Sequence, residues 1–140
     1  MMQAITRFVY WLFNVKSVQL DTDTFDPVEA EPGLHVIADF GADHALASAA
    51  PDEQIIARTM SRLDWERSFY QVVLVRSSGE SLEVGGSLDP QHGLSGTYRD
   101  PASGTHLVTP EPPASVEAMT SILSSFSAGT DTWRRAFAGE

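Results

Sequence analysis

Phe69-Tyr70-Gln71-Val72-Val73-Leu74-Val75-Arg76, then Ser77-Ser78-Gly79-Glu80, then Ser81-Leu82-Glu83-Val84-Gly85 is the stretch that decides the fold class. Its first eight residues are an apolar, β-branched run of strand length, the kind buried on both faces. A polar turn containing glycine follows, and an alternating run returns. This is the pattern of a β-hairpin. Downstream, Gly85-Gly86 marks a break or bulge. Leu94-Ser95-Gly96-Thr97-Tyr98-Arg99 reads as a third strand, Asp100-Pro101-Ala102-Ser103-Gly104 as a turn by composition, and Thr105-His106-Leu107-Val108-Thr109 as a fourth strand. The four together predict an antiparallel meander.

A helix is expected on either side of this meander. The first begins near Pro51, because proline is favoured at the first helical position, with Asp52 and Glu53 at the positive end of the dipole. Ile56, Met60 and Leu63 recur on one face, and the helix stops near Leu63 or Asp64. The second follows Pro110, Pro112 and Pro113 and carries Val116, Met119, Leu123 and Phe126 as an apolar stripe, with Gly129 as its C-cap. Trp133 and Phe137 pack beyond it as a tail or short extra turn. Upstream, Val15-Lys16-Ser17-Val18-Gln19-Leu20 partly alternates, as does Leu34-His35-Val36-Ile37-Ala38-Asp39-Phe40. Each predicts a strand, and residues 21–33 form a loop containing Pro27 and Pro32. Whether residues 8–13 are helix or strand is left open by their period. Strands cluster instead of alternating with helices. The expected class is α+β, with an antiparallel sheet of about five to six strands and two main helices packed on one face. Residues 1–140 fit a single domain.

Charge narrows the partners. Between Lys16 and Arg58 there is no lysine or arginine, but there are nine carboxylates: Asp21, Asp23, Asp26, Glu29, Glu31, Asp39, Asp43, Asp52 and Glu53. They supply most of a formal charge of −10. Such a surface repels nucleic acid and anionic membranes and attracts basic partners. There is no basic patch, and Arg134-Arg135 is an isolated pair. Cysteine is absent, which removes disulfides and thiolate chemistry and fits a reducing compartment. The run Phe8-Val9-Tyr10-Trp11-Leu12-Phe13 is about half the length of a signal-peptide core and far short of the roughly 20 residues that span a bilayer. A cytoplasmic location is the expectation.

Asp21-Thr22-Asp23-Thr24-Phe25-Asp26 fails as an EF-hand loop, because Phe25, Asp26 and Pro32 occupy the fifth, sixth and twelfth positions. His35, His44, His92 and His106 form no local metal-ligand pair, although folding can unite two of them with a carboxylate. His35 and His106 are expected at the surface or rim. No G-x-S-x-G elbow exists, and Gly85-Gly86-Ser87 lacks the lysine and helix of a phosphate cradle. No catalytic residue, metal or cofactor is therefore assigned. Trp11 and Trp133 are expected in the core. Trp65, between Asp64 and Glu66, is expected to be exposed and available as a contact anchor.

The segment 65–133 resembles small immunity proteins of bacterial polymorphic-toxin systems. The features are the strand at Val72-Val73-Leu74-Val75, Leu82-Glu83-Val84-Gly85-Gly86-Ser87, Gly93-Leu94-Ser95, Tyr98, the proline-led helix at 115–126, and Gly129 with Trp133. This covers roughly half the chain and is a pattern of glycine and apolar positions. The resemblance implies a non-enzymatic protein that binds a cognate toxin and blocks its active site, and it transfers no individual binding residue. The residues expected to meet a basic protein partner, such as a toxin domain, are Asp21, Asp23, Asp26, Glu29, Glu31, Asp39, Asp43 and Trp65. Two other functions fit the same residues: an assembly or secretion accessory protein with an apolar groove, or an enzyme or small-ligand domain with a dispersed site. Oligomeric state is not determined by the sequence.

Overall fold

The sheet is antiparallel throughout and its strand order is β1-β3-β2-β4-β5-β6-β7. A computed structural model describes residues 17–18, 26–27 and 29–138. The strands are β1 (Ser17–Val18), β2 (Gly33–Ala38), β3 (Asp43–Ser48), β4 (Tyr70–Val75), β5 (Ser81–Gly86), β6 (Leu94–Asp100) and β7 (Thr105–Val108). The helices are α1 (Glu53–Arg62) and α2 (Val116–Ala128), with 3₁₀ turns at Asp39–Gly41 and Thr132–Phe137. Six strands have four to seven residues, and β1 adds two residues beside β3. The expected α+β class, the meander β4 to β7 and the two helices on one face are all present. The segment 8–13, Trp11, Asp21, Asp23 and most of the expected strand at 15–20 lie outside the described residues.

The helices cover one face of the sheet because the strands alternate. Leu34 and Val36 of β2, Tyr70, Val72 and Leu74 of β4, Leu82 and Val84 of β5 and Tyr98 of β6 share one buried cluster with Ile56 and Met60 of α1. Met119, Ile122, Leu123 and Phe126 of α2 complete it, with Trp133 and Phe137 behind them. Fully burying one such side chain is worth about 1.5–3 kcal/mol, so this cluster is the main source of stability. The opposite face is divided. Ile37, Val73 and Val75 form a second small cluster against Ala30, whereas Gln71 donates to the Glu83 carboxylate at 2.9 Å on the polar half. That is why β4 reads as a continuous apolar run: both of its faces are covered.

One strand was not expected. Asp43-His44-Ala45-Leu46-Ala47-Ser48 forms β3, which pairs with β2 from Leu34↔Ser48 to Ala38↔Asp43. Alanine has weak β propensity, and its strand state comes from the partner it meets. The turn between β2 and β3 uses Asp39 at φ 54°, a left-handed conformation that aspartate tolerates, and Ala42 N–H closes it on the Asp39 carbonyl at 3.1 Å. The chain then crosses through α1 from one side of β2 to the other, since β4 is the second neighbour of β2.

Helix boundaries follow their caps. Asp52 is the N-cap of α1, not a first-turn residue, and its side chain accepts from Ile55 N–H at 2.8 Å. Pro51 therefore lies one residue outside the helix. Ser115 caps α2 by accepting from Ala118 N–H at 3.1 Å. Gly129 ends α2 at φ 81°, as expected of a left-handed C-cap. Gly86 belongs to β5 instead of breaking it. Its φ is 119°, and a Cβ there would sit 2.0 Å from the Gly93 carbonyl oxygen, so only glycine lets the 87–93 loop close.

Candidate functional site

Among the described residues the acidic side chains do not gather into one patch. Asp26, Glu29 and Glu31 are exposed on the loop that enters β2. Glu29 N–H donates to the Asp26 carbonyl at 3.2 Å, and the intervening Pro27 is buried, so this loop is a folded turn anchored to the body. Asp39 is also exposed but lies at the other end of β2. At about 3.3 Å per residue, the six residues of β2 separate Asp39 from Glu31 by roughly 20 Å. Asp39 is placed there by its turn conformation. Asp52 and Glu53 serve the start of α1.

Asp43 corrects the expectation of a contact residue. It is 2% exposed in β3, and its Oδ1 accepts from His44 N–H at 2.9 Å. A carboxylate in that place offers no surface to a partner. Trp65 is the second correction. It is 4% exposed, its indole N–H donates to the Met60 carbonyl at 2.9 Å, and its ring meets Tyr70 edge-on at 5.4 Å. Met60 lies in the last turn of α1, where carbonyls lack partners within the helix. Trp65 supplies one and seals the helix end into the core. Its exposed neighbours Asp64 and Glu66 misled the sequence reading, because alternating exposure across three residues leaves the middle one inside.

Beneath the acidic loop lies a buried histidine pair. His35 and His44 are 1% and 7% exposed, with rings stacked at 5.0 Å between centroids. His35 therefore does not sit at the rim as expected, whereas His106 is exposed. The Glu31 carbonyl can only accept, so His35 Nε2 carries the proton of that 2.7 Å bond. In the neutral ring His35 Nδ1 is then the acceptor, and His44 Nε2 donates to it at 2.8 Å. Burial lowers the pKa of His35, against the Glu31 carbonyl and its negative charge. Burial, then the proximity of His35, lowers His44 to about 4. The pair is neutral near pH 7 and ties the acidic loop to the sheet. The signal was present in the sequence: the period of two puts His35 and Ile37 on the face opposite Leu34 and Val36, and the apolar run of β4 shows that this face is covered. Among the described residues no group of three or more His, Asp or Glu is arranged to hold a metal ion.

A third constellation joins the hairpin to α2. Glu80, in the β4–β5 turn, accepts from the Tyr98 hydroxyl at 2.6 Å, from Ser78 at 3.0 Å and from Arg76 at 3.2 Å. The Arg76 guanidinium lies 3.7 Å over the Phe126 ring and donates to the Phe126 carbonyl. These bonds, that of Tyr98 foremost, hold the Glu80 carboxyl below its usual range. Burial and the Glu80 charge push Tyr98 up to about 12. Glu80 and Arg76 bond to one another and to groups on β6 and α2, so the constellation is a clasp between sheet and helix.

Comparison with known protein families, characterised proteins and solved structures gave no significant match.

Proposed function

We propose that this chain is a non-enzymatic protein-binding domain that recognises a basic protein surface, and that its partner is a bacterial toxin domain which it neutralises. The observation that carries the reading is the loop at 26–32. It presents Asp26, Glu29 and Glu31 to solvent while Pro27 and the His35 bond to Glu31 hold its backbone. A preorganised anionic loop on a molecule of charge −10 speeds encounter with a cationic cleft and disfavours acidic partners. Asp39 contributes to the long-range field from the far end of β2. Asp43 and Trp65 belong to the scaffold. Among the described residues no helix is long and apolar enough to cross a membrane.

The test is affinity capture from the source cell at low and high salt, with bound proteins identified by mass spectrometry. One basic partner, released by salt and toxic when expressed alone, is the expected result. Capture that is equal at both salts would overturn the charge-driven reading. It would favour the accessory-protein reading, for which one observation speaks: edge strand β7 contains no Asp, Glu, Lys or Arg and carries Val108 at 54% exposure. Among the described residues no strand pairs with its outer side, and such an edge is suited to pairing with a partner's strand.

A further inference from the structure

A depression of about 180 Å³ lies between the outer end of β3 and α1. It is lined by Ala47, Ser48, Ile55, Arg58, Thr59 and Arg62, and no carboxylate is among them. In a chain with 19 acidic and 9 basic residues, a concavity that has two cations and no anion among the described residues lining it stands out against the prevailing field. Arg58 and Arg62 are one helical turn apart and both exposed. Like charges at this spacing repel. The position four residues before Arg58, where a carboxylate would pair with it, holds Gln54. Among the described residues Arg58 makes no ion pair, whereas Arg67 and Arg76 each do. Arg62 has an interaction of its own within the chain, so Arg58 is the uncommitted guanidinium.

The rest of the lining suits an oxyanion. The Ser48 hydroxyl accepts from Ala50 N–H at 3.2 Å and keeps its own hydrogen to donate. Thr59, nearly buried, lines the space from the helix side, while Ala47 and Ile55 form an apolar wall. The volume equals roughly six water molecules and is well below that of a drug-sized pocket. It accommodates one charged group and little more.

We propose that the Arg58–Arg62 depression is an oxyanion site that takes a single carboxylate or phosphate group. The Arg58 guanidinium fork supplies planar, bidentate donors for either anion, Arg62 adds positive charge beside it, and Ser48 donates from the wall. The site is separate from the acidic loop and does not depend on the protein-binding reading above.

The test is a titration of the ¹⁵N-labelled protein with inorganic phosphate, and separately with acetate, following the arginine Nε–Hε signals. Saturating shifts at Arg58 and Arg62 and at the Ser48 amide are expected. Arg134 and Arg135, an exposed pair elsewhere, serve as the control. The double variant R58Q/R62Q should weaken binding by roughly ten- to a hundredfold, the loss of one or two charged hydrogen bonds. R58K/R62K, which keeps the charge and loses the fork, should fall between. Both positions are exposed, so the amide spectrum elsewhere reports an intact fold. Phosphate saturating before acetate assigns a phosphate ligand, and the reverse assigns a carboxylate. The proposal is overturned by shifts that never saturate, or that are matched at Arg134 and Arg135, since either marks general screening.

Discussion

Tyr98 and Glu80 show how much one side-chain contact contributes to this protein. Their 2.6 Å bond joins β6 to the β4–β5 turn and is made to a charged acceptor. Tyr98→Phe should cost about 1.5–3 kcal/mol in urea unfolding, the range for a hydrogen bond to a charged group. The phenol pKa is raised from 10 to about 12, so the folded state holds the proton more tightly than the unfolded chain. The stability linked to it is complete below pH 10 and is lost as pH rises from 10 to 12. His44 works at the other end of the scale. Its pKa falls from 6.5 to about 4, so between these values the unfolded chain binds the extra proton. Stability is present above pH 6.5 and is lost as pH falls towards 4, by up to about 1.4 kcal/mol per pH unit for one proton. His35 shifts in the same direction. Thermal melts of the wild type from pH 7.5 to 4.5 should show this decline, and a flat profile would contradict the buried neutral pair. Neither contact could be read from the sequence, because 18 residues separate Tyr98 from Glu80 and nine separate His44 from His35.

At the scale of elements, local chemistry was legible wherever it acts within one turn. Gly129 was read correctly because a left-handed C-cap depends on one residue. The stripe Met119, Leu123 and Phe126 was legible because helical period and burial coincide. Asp52→Ala and Ser115→Ala should each lower stability by about 1 kcal/mol, and Gly129→Ala by a similar amount, measured as shifts in Tm against the wild type. A loss confined to Ser115→Ala would show that α1 is held by packing alone. Strand β3 was illegible for the opposite reason. Its residues carry weak intrinsic preference, and the strand is specified by the backbone edges of its neighbours, β2 along its length and β1 at Ala45 and His44. The carboxylate Asp43 was misplaced along with the strand that contains it.

For the whole molecule, the scaffold and the proposed contact surface separate cleanly. Trp65→Ala removes a ring packed against Tyr70 and leaves the Met60 carbonyl without that donor. It should cost about 3–5 kcal/mol in unfolding experiments, the usual range for a buried aromatic cut to alanine. Reversing Asp26, Glu29 and Glu31 together to lysine should leave the melting temperature within a few degrees, since all three side chains are exposed. Association with a basic partner should slow by about tenfold or more at low salt, read by stopped-flow mixing, and the difference should shrink at high salt. Unchanged rates would remove the acidic loop from the binding reaction. The sequence by itself determined the α+β class, the meander from β4 to β7, both helices with their apolar faces, and the net charge. These depend on periodicity and composition, which each segment carries locally. Only the tertiary structure decided that the acids split between the two ends of β2, that Asp43 and Trp65 lie inside, and that His35 meets His44. It also decided that Arg58 and Arg62 flank a hollow beside β3. Those outcomes depend on which strands become neighbours, and strand neighbours are chosen by the packing of the whole sheet.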